Sequence, residues 1–223
     1  LRRLEYTLSE LAACRKAGGD GYIMAIADGR ELFRRVAAGE IRTDNPTVNG
    51  AWAPLYLINK MLHGLRAAYA EAGQRQALTL MTSLADWFGY GVLDKLTDEQ
   101  VQQLLVCEHG SINESFLDVY ELTGEPRYLE WAGRLNDRSM WVPLSEGRDI
   151  LNGWHANTQI PKFTGFEKYY THTGDGRFDR AARNFWEIVT ARHSWVIGGN
   201  STGEHFFPES RFEEKVLEQG GPE

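Results

Sequence analysis

Glu204 stands in the run Gly198-Gly199-Asn200-Ser201-Thr202-Gly203-Glu204-His205-Phe206-Phe207-Pro208, and the make-up of that run points to acid–base chemistry. Glycines let a backbone come close to a ligand. Apolar rings beside a carboxyl group raise its pKa towards what a general acid needs near neutral pH. A solvated loop accounts for the same residues. A phosphate cradle is weakly supported, because the run has neither a GxGxxG pattern nor a Lys in P-loop register.

A second polar cluster is Trp154-His155-Ala156-Asn157-Thr158-Gln159-Ile160-Pro161-Lys162, directly before the apolar stretch Phe163 to Tyr170. Thr158 or Asn157 is the expected N-cap, with Pro161 tolerated in a first turn. The cap leaves His155 unexplained. It is either a hydrogen-bonded structural histidine beside Trp154 or, with Asn157 and Gln159, part of a set of fixed donors and acceptors that would suit sugar hydroxyls. In the third cluster, Glu108-His109-Gly110-Ser111-Ile112-Asn113-Glu114, Ser111 and Glu114 have the spacing of a capping box. His109 lies just outside that box, open between structure and site.

These groups need a scaffold, and the composition provides one. The chain has 223 residues, 42% of them hydrophobic, enough for a substantial core. Its aromatic share of 12% suits stacking on flat sugar faces as well as packing. A formal charge of −7 without a basic stripe argues against a nucleic-acid partner. Cys14 and Cys107 fit neither a disulfide framework nor a local zinc motif and are expected to be buried free thiols. No apolar run approaches the roughly 18 residues of a membrane span, and Leu1-Arg2-Arg3-Leu4-Glu5 lacks a signal-peptide core, so no membrane is implied and the compartment stays open. The start without Met, on an amphipathic stretch, suggests an excerpt of a longer chain.

The dominant period is helical. Leu4, Leu8, Leu11 and Ala12 form one apolar stripe, and Leu55, Ile58, Leu62, Leu65, Ala68 and Tyr69 another. Alternation of the strand kind is scarce, with Trp195 to Ile197 as one candidate. The segments YAEAG, YELTG and YTHTG, ending at Gly73, Gly124 and Gly174, place a tyrosine four residues before a glycine, and those glycines are 51 and 50 residues apart. Four residues beyond each glycine stand Ala77, Tyr128 and Phe178, and eight beyond stand Met81, Ala132 and Ala182. A glycine ending one helix and turning into the next predicts stacked helical hairpins. The long intervening segments, 139–158 and 194–223, favour hairpins closed into a toroid with a site on its loops over an open solenoid. The spacing of 46 residues from His109 to His155 and 49 from His155 to Glu204, near one repeat each, predicts that the three share one end of such a ring.

The clusters in this order resemble the catalytic domain of the beta-L-arabinofuranosidases of glycoside hydrolase family 127. The likeness runs over nearly the whole chain: Asp20-Gly21-Tyr22, the helix from Tyr56 to Tyr69, His109 with the helix after it, His155-Ala156-Asn157, and Gly198-Gly199 followed by Gly203-Glu204-x-Phe206. It implies an all-α fold, an (α/α)6 toroid of helical hairpins of the six-hairpin glycosidase type. Residues 1–223 would form a partial catalytic barrel, incomplete because the chain is truncated. It implies Glu204 as general acid/base and His155, His109 and Asn157 at the substrate. Glu223 matches a zinc-ligand glutamate, whereas the cysteine expected two places later and the later pair, one of them the nucleophile, have no counterpart in Cys14 or Cys107. Zinc is therefore expected in the full-length family member and not in this fragment, since one ligand cannot hold a tetrahedral ion. The implied activity is retaining hydrolysis of a non-reducing-end furanoside, inactive in the fragment alone, with a small carbohydrate as partner and the oligomeric state left open. Two other readings are a sugar epimerase or isomerase using His155 with His193 or His205, and a non-catalytic helical-repeat binding scaffold.

Overall fold

The computed structural model describes residues 1–218, and the described residues are predominantly helical. Contacts divide the chain into two compact units, residues 1–135 and the portion from Asn136 onward, and each is described by itself.

The first unit contains α1 (Arg2–Gly18), α2 (Gly29–Ala37), α3 (Pro54–Ala70), α4 (Arg75–Gly91), α5 (Asp98–Leu104), α6 (Ile112–Thr123) and α7 (Pro126–Arg134). A short antiparallel pair, β1 (Thr47–Val48) and β2 (Ala51–Trp52), precedes α3. The α3 stripe is buried as its spacing requires: Leu55, Ile58, Leu62, Leu65 and Ala68 all face the core. Phe33, Phe88, Phe116 and Trp131 continue that core through edge-on and tilted ring contacts. On α1 only Leu8 is buried. Leu4 and Leu11 instead line an apolar groove of about 470 Å³ against Leu57, Met61 and Leu65 of α3.

The second unit contains α8 (Arg138–Ser145), the single turn α9 (Ala156–Gln159), α10 (Lys162–Thr173), α11 (Gly176–Ile188), a π-helical turn at Val189–His193, and α12 (Phe212–Val216). Its core gathers Met140, Leu144, Leu151, Phe166, Phe178 and Phe206, with Phe163 stacked face to face on Phe185. Beneath it lies a buried ion pair, Lys162 Nζ to Asp137 Oδ2 at 2.7 Å.

The hairpins turn where the sequence predicts. Gly73, Gly124 and Gly174 have φ of 67°, 72° and 70°. Their amides donate to the carbonyls of Tyr69, Tyr120 and Tyr170 at 3.1, 2.7 and 2.8 Å. This closes α3 onto α4, α6 onto α7 and α10 onto α11. Glycine adopts the left-handed conformation without the Cβ penalty that would oppose it. Ala77, Tyr128 and Phe178 are buried four residues later. Eight residues later Met81 and Ala132 are buried too, but in the third hairpin Ala181 takes that place and Ala182 is half-buried.

Three local expectations fail. Ser111 makes no side-chain cap to α6; it is itself buried, and Glu114 lies towards His63, Oε2 to Nε2 at 3.9 Å. A capping box is formed instead by Thr97 with Gln100, at the start of α5. Trp195 to Ile197 is a turn rather than a strand: the amide of Gly198 donates to Trp195 at 2.8 Å and the amide of Trp195 to Gly199 at 2.7 Å. Cys14 is exposed, because it falls on the solvent side of α1, while Cys107 is buried as expected.

Candidate functional site

Glu204 and His155, 49 residues apart, meet in the second unit: His155 Nε2 lies 3.3 Å from Glu204 Oε2. Their two loop segments are joined along the backbone. The amide of Ala156 donates to the carbonyl of Glu204 at 2.8 Å, the amide of Phe206 to Trp154 at 2.9 Å, and the amide of Gly153 to Phe206 at 2.8 Å. Phe206 is buried and anchors the pairing in the core, so the side chains on either side of it are carried at fixed positions.

His155 is itself the N-cap of α9, the role expected of Asn157 or Thr158. Its Nδ1 accepts the amide of Thr158 at 3.3 Å and lies 2.7 Å from the Thr158 hydroxyl. A backbone N–H can only donate, so Nδ1 is unprotonated and the neutral ring carries its hydrogen on Nε2. That hydrogen points at the carboxylate of Glu204.

Glu204 has a left-handed backbone, φ 68°, which a non-glycine residue adopts at a cost. Its side chain is 65% exposed rather than enclosed by rings. The next residue, His205, sets its ring edge-on to His155 at 5.2 Å and is exposed. Asn157 lies on the exposed side of α9, beside the buried Thr158 and Gln159. His193 is 1% exposed, with Nε2 3.0 Å from Asp149 Oδ2. Burial removes it from any role that requires touching a substrate.

His109 belongs to the first unit. It is buried, and its Nδ1 lies 2.9 Å from the carbonyl of Cys107. Beside it Gly110, at φ 56°, brings its backbone so close to Asn59 that a Cβ there would stand 2.5 Å from Oδ1. Asn59 donates to Ser115 Oγ at 2.8 Å and lies 3.3 Å from His63 Nε2. Cys107 Sγ contacts the Pro46 carbonyl at 3.1 Å, and burial pushes its thiol pKa up to about 12.

Among the described residues no group of three or more His, Cys, Asp or Glu side chains is placed to hold a metal ion. Glu223, the residue matched to a zinc ligand, lies outside the described residues. The described side chains thus do not by themselves fit a zinc centre. Asp149 is a part of the site that the sequence does not single out, and Thr158, expected as an N-cap, instead sets its hydroxyl 2.7 Å from His155 Nδ1. The spacing of 44 residues between Asp149 and His193 has no local signature, whereas Thr158 follows His155 at the ordinary three-residue interval of a capping contact.

The sequence model of the beta-L-arabinofuranosidase, GH127 catalytic domain, matches residues 1–220. No curated protein matches the sequence. Two similar solved structures share its fold. One is a GH127 beta-arabinofuranosidase, with a TM-score of 0.53 and 19% identity over 66% of this chain and 24% of that one. The other is a GH127 beta-L-arabinofuranosidase from Geobacillus stearothermophilus T6, with a TM-score of 0.53 and 18% identity over 85% of this chain and 32% of that one. The chain therefore spans about a quarter to a third of the length of these relatives. With the family's catalytic-domain pattern running through nearly all of it, and its fold shared by those two structures, the chain belongs to the GH127 beta-L-arabinofuranosidase family.

Proposed function

We propose that the protein is a retaining glycoside hydrolase that removes beta-L-arabinofuranosyl groups from the non-reducing end of a carbohydrate, with Glu204 as its general acid/base. The observation that carries this reading is the approach of Glu204 to His155 at 3.3 Å, on a strained backbone and paired loops. Strain of this kind is held where the surroundings require a side chain in one place. The Nε2–H of His155 holds Oε2 and leaves Oε1 to carry the transferable proton. Glu204 then protonates the leaving oxygen and, as carboxylate, takes a proton from the water that releases the sugar.

His155 and Asn157 orient sugar hydroxyls in this reading, within hairpins of an (α/α)6 toroid, whereas His109, expected beside them, is as buried as His193 and is held at the Cys107 carbonyl. The nucleophile is a zinc-held thiolate in the family resemblance, with Glu223 among the ligands. The described residues of this chain do not assemble that centre, which would accept the glycosyl group between the two proton transfers.

The test is to compare full-length protein with its Glu204→Gln variant on two substrates. With another sugar as leaving group, losing the acid lowers kcat/KM by about 10² to 10⁴. With an activated aryl glycoside the loss is smaller, because that leaving group needs little protonation. Equal activity of the two proteins on the sugar substrate overturns the assignment. An epimerase reading keeps one pair, His155 and the exposed His205 at 5.2 Å; an isomerised sugar in place of released arabinose would identify it.

A further inference from the structure

The loops that carry Glu204 and His155 rest on a buried side chain that takes no part in their contact. His193 ends the π-helical turn after α11, and its Nε2–H donates to Oδ2 of Asp149 at 3.0 Å. The other oxygen of Asp149 accepts the amide of Leu151 at 3.1 Å. The His193 ring also meets Phe206 edge-on, with centroids 5.5 Å apart and planes at 69°. Asp149 begins the segment that leads to His155, and Phe206 stands two residues after Glu204. One ring therefore holds both loops, the first through a hydrogen bond and the second through a ring contact. A phenylalanine could supply only the ring contact, and a glutamine only the hydrogen bond.

We propose that His193 and Asp149 are positioning residues that set the separation of Glu204 from His155, and with it the direction in which Glu204 delivers its proton. This rests on the general-acid reading of Glu204. Both act through Glu204 and His155 in this proposal: His193 is sealed in the core, and the Asp149 carboxylate is turned to it. A displaced acid fails most where proton delivery is hardest, so the effect depends on the leaving group. A general weakening of the fold would lower both substrates alike.

The experiment measures kcat and KM of full-length protein and its His193→Phe, His193→Gln, Asp149→Asn and Glu204→Gln variants. The substrates are an arabinofuranosyl disaccharide and a p-nitrophenyl arabinofuranoside, and thermal unfolding is followed in parallel. For His193→Phe and Asp149→Asn, kcat on the disaccharide falls by about tenfold or more. On the aryl glycoside it falls by less than about threefold, with KM little changed on both. Equal losses on the two substrates, or none, in a folded variant overturn the positioning role. If His193→Phe does not fold, Asp149→Asn and His193→Gln carry the same comparison. Full activity of Glu204→Gln on the disaccharide overturns the general-acid reading, and this proposal with it. Loss in Glu204→Gln beside wild-type behaviour in the His193 and Asp149 variants overturns this proposal alone.

Discussion

His155 faces Glu204 with one ring nitrogen and caps a helix with the other: Nε2 lies 3.3 Å from the carboxylate and Nδ1 accepts the amide of Thr158 at 3.3 Å. The two jobs separate by substitution. Asparagine is a good N-cap but lacks the reach of the imidazole. His155→Asn is expected to melt close to wild type while His155→Ala loses about 1 kcal/mol, and both lose most glycosidase activity. Activity retained in the Asn variant would reduce His155 to a cap. Thermal melts and kinetics on the same preparations decide it.

The left-handed backbone of Glu204 leads to a second expectation. Glu204→Gly should be more stable than Glu204→Ala by about 1 kcal/mol, since only glycine avoids the Cβ penalty at φ 68°. The unfolded-state entropy of glycine offsets part of that gain. Both variants lose the carboxyl group and the activity that depends on it. Denaturant titrations that rank alanine above glycine would show the strain to be absent.

The hairpins were legible because a single repeated pair, Tyr and Gly four residues apart, fixes both the end of one helix and the turn into the next. The cap at His155 was not, because its acceptor is an imidazole nitrogen and local rules favour Asn157 or Thr158. Ser111 shows the opposite error: the pattern of a capping box is present, but the serine is buried without capping α6 and Glu114 lies towards His63. Glu204 and His155 were legible as separate clusters. Their contact was legible only through the repeat spacing, while the pairing of Asp149 with His193 depends on tertiary packing that no short pattern records.

Gly89 is packed against Trp131, where an added Cβ would stand 2.3 Å from the ring. The indole cannot yield easily, since its Nε1 donates to Asp94 at 2.7 Å and its ring is held by Tyr90, Phe116 and Tyr128. Gly89→Ala is expected to cost about 1–3 kcal/mol through overpacking. An unchanged urea midpoint would show that the helices there can part freely.

His63 has a pKa below its ordinary value because burial disfavours the imidazolium, against the opposing pull of Glu114 and Asp118. The unfolded chain therefore takes up this proton at a higher pH than the folded one. The contribution to stability is present above the ordinary histidine value and is lost as pH falls through the lower folded value. His63→Gln is expected to flatten that part of the stability profile. Parallel slopes in the two proteins from pH 7 to 5 would exclude it.

The two thiols differ in reach. Cys14 is exposed on α1, whereas Cys107 is buried, with its Sγ at the Pro46 carbonyl and its pKa pushed up to about 12. Native protein at pH 8 is expected to react with an alkylating reagent at Cys14 only, and at Cys107 only after unfolding. Peptide mass mapping of both samples checks the order.

The turns at Gly73, Gly124 and Gly174 also divide the chain into parts that can and cannot change length. Within a hairpin, one inserted residue rotates the second helix by about 100° and carries its buried face into water. Between hairpins, an insertion changes only the loop and leaves the next tyrosine and glycine in phase with each other. Loops in this architecture can therefore diversify by lengthening or trimming segments such as 146–148 and 196–200, while α8, α10 and α11 keep their lengths. A library with insertions confined to those segments would explore new ligands at little cost in folding; the same library placed inside the hairpins would mostly return unfolded protein.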